Sequence, residues 1–190
     1  VTIDGCFLTS TLTIPTLTSG STVLIKDTTS ENIVFAAQSG VTINIQGTTV
    51  SSAADHAVTF AELTSSPVTV TRSSLATDSG TKRVMQFEGA MLSSPLTVSD
   101  SAIIGTAASG TCKGFNLEQP LTDSPVALTN VDIRVYYLGF NVKSTGSALR
   151  SPVTMARVSM LVPGGYGVFL NHMTDSPLTV SDSTITLTGT

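Results

Sequence analysis

One phrase recurs along the chain. "SSPLTVSDSAI" at 93–103 and "TDSPLTVSDSTI" at 174–185 are nearly the same, with weaker copies at 65–75 ("SSPVTVTRSSL"), 122–133 ("TDSPVALTNVDI") and 149–160 ("LRSPVTMARVSM"). "SGVTINIQGT" at 39–48 keeps the pattern with Gly for Pro, and "VTIDGCFL" at 1–8 keeps its centre. Aligned on the apolar residue that opens each copy, the anchors are Val1, Val41, Val68, Leu96, Val126, Val153 and Leu178. From Val41 onward their spacing is nearly constant, at roughly 25–30 residues, within the range of repeat architectures. A unit of that size cannot bury an apolar face alone, so the recurrence requires that successive units stack.

Within each copy the pattern has period two. Val68 and Val70, Leu96 and Val98, Val126 and Leu128, Val153 and Met155, and Leu178 and Val180 point one way, and the residues between them the other. A second apolar pair precedes each Ser-Pro (Val58 and Phe60, Met85 and Phe87, Phe115 and Leu117, Phe140 and Val142, Val168 and Leu170), and a third apolar position follows at Leu75, Ile103, Ile133, Met160 and Ile185. No stretch has helical periodicity. The pattern predicts an all-β, right-handed parallel β-helix (β-solenoid) of about seven coils, each of roughly 25–30 residues. It forms a single segment over 1–190, with irregular first coils in 1–40 and regular repeats in 41–190, and reads as an excerpt of a longer chain.

In such a stack, equivalent residues lie about 4.8 Å apart, so columns of the alignment become ladders. The outward ladder reads Thr2, Thr42, Thr69, Thr97, Ala127, Thr154, Thr179, and the corner ladder Ser39, Ser66, Ser94, Ser124, Ser151, Ser176. Pro after the corner serine suits the first residue of a strand, where its fixed φ helps and its missing N–H is spared. Two short columns, Arg72, Asp100, Asn130, Arg157, Asp182 and Asp123, Arg150, Asp175, place no like charges in adjacent coils. In-register stacking requires that alternation.

Composition narrows the function. Charged residues are 12% of the chain and the net charge is -4, so there is no basic stripe for a nucleic-acid backbone. The apolar runs are too short for a membrane span. His56 opens "HAVTF" as a solvated turn residue and His172 follows "GVFLN" in another column, so the two form no pair and no metal site is expected; no cofactor is expected either. Cys6 and Cys112 fall in columns that do not meet, which predicts two buried or half-buried free thiols, with Cys6 a candidate for a bond to a neighbouring chain.

The coil length and the Ser-Pro phrases resemble the pectin-lyase-like parallel β-helix family over about 41–190. The Ser/Thr-rich style is similar to repeats in large protist surface proteins such as the trypanosome dispersed gene family. The first resemblance implies polysaccharide chemistry, yet of the polygalacturonase-type motifs only "NVD" at 130–132 is present, without Asp-Asp, Gly-His-Gly or Arg-x-Lys. Asp100, Asp132 and Asp182 lie on separate coils or beyond a bend rather than facing one another across a bond, and Asp100 and Asp182 read as surface spacers.

The expectation is a non-catalytic structural or adhesive segment of an extracellular or cell-surface protein, forming filaments by end-to-end stacking with flanking coils or other copies of itself. The alternatives are a carbohydrate-binding or polysaccharide-cleaving β-helix, with glycans as partners, and an ice-binding solenoid. Binding candidates are the threonine ladder (Thr42, Thr69, Thr97, Thr154, Thr179) and the irregular turns at 76–83 and 106–114. Ser-Pro and Thr-rich turns are candidate carriers of O-linked sugar.

Overall fold

The computed structural model describes residues 1–142 and 148–188. Among the described residues every regular element is a strand and every strand pairing is parallel, wound as a β-solenoid of about seven turns. Three sheets run along it: a 13-stranded sheet A, a 7-stranded sheet B and a 6-stranded sheet C. One coil shows the path. Leu96–Gly105 lies in sheet A, Lys113–Leu117 in sheet B and Leu121–Thr122 in sheet C, and the chain re-enters sheet A at Val126–Arg134.

From Val68 onward the register is the one the phrases predict: Val68 pairs with Leu96, Leu96 with Val126, Val126 with Val153, and Val153 with Leu178. The earlier coils correct the alignment. Val68 pairs with Ile43 rather than Val41, Ile43 with Val23, and Thr2 with Leu24. The irregular first coils of 1–40 therefore include one through Thr22–Lys26, for which the alignment has no anchor. It is shorter than the coils that follow, since the partner of Thr22 in the next coil is already Thr42. Thr42 consequently leaves the threonine ladder, whose place is taken by Asn44 and Leu24.

Two sharp bends recur in the coils. Their central residues occupy the left-handed region: Gly20, Gly40, Ser65, Ser93, Asp123, Arg150 and Asp175 at the entry to sheet A, and Gly5, Asp27, Gly47, Arg72, Asp100, Asn130, Arg157 and Asp182 within it. Wherever an entry bend has a successor, the two lie seven positions apart, so all variation in coil length falls outside this span. For residues with a side chain this conformation costs about 1–2 kcal/mol. The charge-alternating columns are these bends.

Serine offsets that cost. Ser66, Ser94, Ser124 and Ser151 follow the entry bend and are fully buried. Each Oγ donates to the carbonyl two residues back, as Ser94 does to Leu92 at 2.9 Å, and accepts the N–H of its counterpart one coil earlier. Ser66 N–H donates to Ser94, Ser94 to Ser124, and Ser124 to Ser151, each at 3.0 Å, and Ser151 donates to Ser176 at 2.8 Å. Backbone donors that face along the solenoid axis are thereby paired away from water. Ser39 is outside this ladder: it is exposed and pairs with Thr64, while Val41 donates to Ser66 Oγ at 3.1 Å. The second bend repeats the device, with Thr48 N–H on Ser73 Oγ and Ser73 N–H on Ser101 Oγ. Buried on both sides, the Ser-Pro serines have no free hydroxyl for a glycan.

The core is filled coil by coil. Phe35, Phe60 and Phe87 stack in one inward column of sheet B with ring centroids 4.9 Å apart. Beyond Phe87 that column narrows to Leu117 and Val142, and Phe115 and Phe140 enter the neighbouring Met85 column. Each of these two follows a glycine: at Gly114 an added Cβ would strike the Gly139 carbonyl and crowd Ile133, and at Gly139 it would strike Met160 and the Gly167 carbonyl. The coils hold their volume while exchanging its position.

Replacing Ser94 by Ala should lower stability by about 1–3 kcal/mol, because the Ser66 N–H loses its buried acceptor, as denaturant midpoints would register. Val98→Asp should abolish folding, since the site is fully buried, whereas Thr69→Lys and Thr97→Lys on the outer face should fold normally by circular dichroism.

Candidate functional site

On the outer surface of sheet A the chemistry is confined to the second bend, where Arg72, Asp100, Asn130, Asp132 and Arg157 line a groove of about 370 Å³. From Asn44 onward the sheet's first outward column is uncharged: Asn44, Thr69, Thr97, Ala127, Thr154, Thr179. The next column contains Lys26, Gln46, Thr71, Ser99, Thr129, Ala156 and Ser181. Neither repeats regularly enough to match a lattice. Charges gather at the bends, and Asp27, Asp100, Asp123 and Arg150 are paired there. Asn130 Nδ2 donates to Asp100 Oδ1 at 2.7 Å, and Arg150 grips both oxygens of Asp123 at 2.6 and 2.7 Å. The Arg150 guanidinium holds the Asp123 carboxyl below its usual range. Asp132 pairs with Arg134 at 2.7 Å.

The thiols do not meet. Cys112 is buried, and burial pushes its thiol up to about 11, with Arg83 pulling weakly the other way. Cys6 is exposed rather than half-buried, and stands after the second bend where later coils carry Thr28, Thr48, Ser73, Ser101, Val131, Val158 and Ser183, its Sγ 3.4 Å from the Asp4 carbonyl.

Sheet B differs. The residue between its two inward positions faces outward, and across successive coils that column reads Thr59, Gln86, Asn116, Asn141, Phe169. Although outward, Gln86, Asn116 and Asn141 are only 6%, 0% and 1% exposed. They form an amide ladder: Asn116 Nδ2 donates to Gln86 Oε1 and Asn141 Nδ2 to Asn116 Oδ1, both at 2.7 Å. Lys113 lies over it, donating to Asn116 Oδ1 at 2.8 Å with its ammonium 3.7 Å from Glu118.

Columns of opposite character flank the ladder. On one side His56, Arg83, Lys113, Leu138 and Tyr166 follow one another, and on the other Glu88 and Glu118 occupy neighbouring coils. His56, Lys82, Arg83, Gln86, Glu88 and Glu118 line a depression of about 360 Å³ at one end. At the other, Tyr166 and Phe169 hold their rings 6.1 Å apart, and all three tyrosines of the chain, Tyr136, Tyr137 and Tyr166, border a hollow of about 520 Å³. A smaller hollow lined by Lys113, Asn141, Tyr166 and Phe169 adjoins the tyrosine-bordered one, with which it shares Tyr137 and Tyr166. The face thus runs from charged, through amide, to aromatic.

His56 is not a solvated turn residue. It is half-buried, its Nδ1 accepts the Arg83 N–H at 2.9 Å, and burial together with the nearby Lys82 charge lowers its basicity. His172 is exposed at a bend of positive φ. The turns at 76–83 and 106–114 stack on each other, with Thr111 N–H on the Gly80 carbonyl and Thr106 Oγ1 on Asp78, and their last residues, Lys82, Arg83 and Lys113, feed the sheet B face. Among the described residues no three of His, Cys, Asp and Glu converge to hold a metal ion, and no helix is long and apolar enough to cross a membrane.

The amide ladder is the feature that the phrase alignment misses. Its signal lies in the middle residue of the second apolar pair, where Thr59, Gln86, Asn116 and Asn141 follow in order.

No known family model matches the chain, and no curated protein or solved structure matches it.

Truncating Asn116 to Ala would take an acceptor from the Lys113 ammonium and remove the ladder partners of Gln86 Oε1 and Asn141 Nδ2. Chemical denaturation should register a loss of about 2 kcal/mol or more, against less than about 0.5 kcal/mol for Thr97→Ala.

Proposed function

We propose that the chain is a non-catalytic structural or adhesive segment of an extracellular or cell-surface protein, and that its coils present the outer face of sheet B to glycans. The observation that carries this reading is the amide ladder with an aromatic pair at one end and mixed charges at the other. Sugars offer hydroxyls that both donate and accept, together with apolar ring faces. The carboxylates of Glu88 and Glu118 meet the first need and the Tyr166 and Phe169 rings the second, on a surface that the buried amide ladder beneath holds in place. Coils about 4.8 Å apart repeat those groups along the axis on the scale of single sugar residues.

The carboxylates support binding rather than cleavage. Glu88 and Glu118 directly follow the paired Phe87 and Leu117, side by side on neighbouring coils, whereas glycoside hydrolysis needs two carboxyl groups on opposite sides of one bond. In the same proposal the partner at either end is a further coil, from the same polypeptide or from a second copy. The basis is the uniformity of the rungs, which join any coil to the next by the same bonds.

A glycan array followed by calorimetric titration tests the binding role. The expected result is a ligand whose affinity falls at least ten-fold in Glu88→Ala and Phe169→Ala, both exposed changes, and is unchanged in Thr97→Ala and Thr154→Ala. Binding lost only in the threonine variants would move the site to sheet A. No bound glycan would leave the scaffold role alone, and release of reducing or unsaturated sugar ends would replace binding with catalysis.

A further inference from the structure

We propose that His56 is a proton-operated clasp between two neighbouring coils, closed while its imidazole is neutral and opened when it is protonated. The inference goes beyond the glycan reading and does not depend on it. It starts from the fate of one backbone donor. Arg83 opens its strand in sheet B, and at the equivalent positions in later coils the N–H of Leu138 donates to the Cys112 carbonyl and that of Tyr166 to the Tyr137 carbonyl. The Arg83 N–H instead donates to a side chain, His56 Nδ1, at 2.9 Å. A carbonyl accepts at every pH. An imidazole nitrogen accepts only while its lone pair is free, so this rung alone among those three depends on protonation.

The surroundings make the change consequential. His56 N–H donates to its neighbour Asp55 at 2.8 Å, and Asp55 Oδ1 also holds the Lys82 ammonium at 3.1 Å, which ties the start of the His56 strand to the 78–83 turn of the next coil. The Arg83 guanidinium turns back onto the Thr81 carbonyl, while its Nε is buried and meets no acceptor among the described residues. A proton on Nδ1 would place N–H against N–H and add a positive charge beside Lys82 and Arg83. Asp55 is the closest counter-charge. Glu88 and Glu118 line the same depression, and Glu31, one coil below, is exposed.

The sign follows from the neighbours. Burial and the Lys82 charge depress the imidazole below its ordinary value of about 6.5. The folded form therefore binds fewer protons than the unfolded one in the interval between the two values. The clasp is complete above about pH 6.5 and its contribution is lost as pH falls through the lowered value. Opening at this rung would loosen the start of the Arg83 strand and the charged end of the sheet B face, while the 78–83 turn stays anchored through Asp78 and Gly80 and the remaining coils stay in place.

Amide hydrogen exchange on the full chain, stepped from pH 7.5 down to pH 4 and expressed as protection relative to the unstructured rate at each pH, tests the clasp. Protection of the Arg83 amide should drop at least ten-fold at the lowest pH, that of Gln86 should change little, and His56→Asn, which keeps an acceptor that does not titrate, should hold Arg83 level. Protection that stays level in the wild type, or that falls equally in His56→Asn, overturns the proposal. If the variant fails to fold, nitrogen NMR of the wild-type imidazole decides: the neutral ring must carry its proton on Nε2, and a proton on Nδ1 overturns the clasp.

Discussion

A parallel strand that lies on its own previous coil must find partners along the solenoid axis for every backbone donor and acceptor, including those at the bends. In the strands the ladders do this without help. At the bends the central residue still reaches a carbonyl of the next coil, and at the residue that follows serine hydroxyls take over, accepting from the coil before while donating to their own backbone. This arrangement explains why a chain so rich in Ser and Thr is ordered. At these positions the hydroxyls act as backbone substitutes inside the fold, and residues such as Ser93, Asp123 and Arg150 can hold a positive φ because the next residue is locked on both sides.

With the interior committed to stacking, variation is confined to what points outward and to the loops around sheet B. That is where charges, amides and aromatic rings gather into one continuous face. The buried ladder of Gln86, Asn116 and Asn141 also shows that outward and exposed are different properties: Lys113 and its neighbours cover the amides and leave them hydrogen-bonded to one another. Such satisfied polar networks hold side chains in fixed positions, which a recognition surface needs.

The architecture was legible because stacking writes itself into sequence as a repeated phrase. Where the phrase contained Ser-Pro, the register was right to the residue. At Val41 it slipped by two, because "SG" was equated with "SP", although Gly40 occupies the bend and so matches Ser65 rather than Pro67. A two-residue slip leaves every side chain on the same face, so the inward and outward assignments survived it. The coil through Val23 went unseen because its corner is Gly20-Ser21, without proline, and because the next corner, at Gly40, follows sooner than in any later coil. The bends are only half written in the sequence, since Gly, Asp and Asn favour positive φ whereas Ser65, Arg72, Ser93, Arg150 and Arg157 do not, and the sheet B amides align between the apolar pairs without showing that they bury and bond to one another.

The fixed interval between the two bends has a consequence for how such a chain can change in length. A residue added between the bends would turn one strand's buried side outward and carry the second serine off its acceptors. The loops before and after sheet B face no such demand. The short coil from Thr22 to Thr42 and the longer one from Leu96 to Val126 coexist because those loops differ. Insertions and deletions are therefore tolerated there singly, and elsewhere only as whole coils. The molecule has, in effect, two units of growth: one residue at its edges and one full turn along its axis.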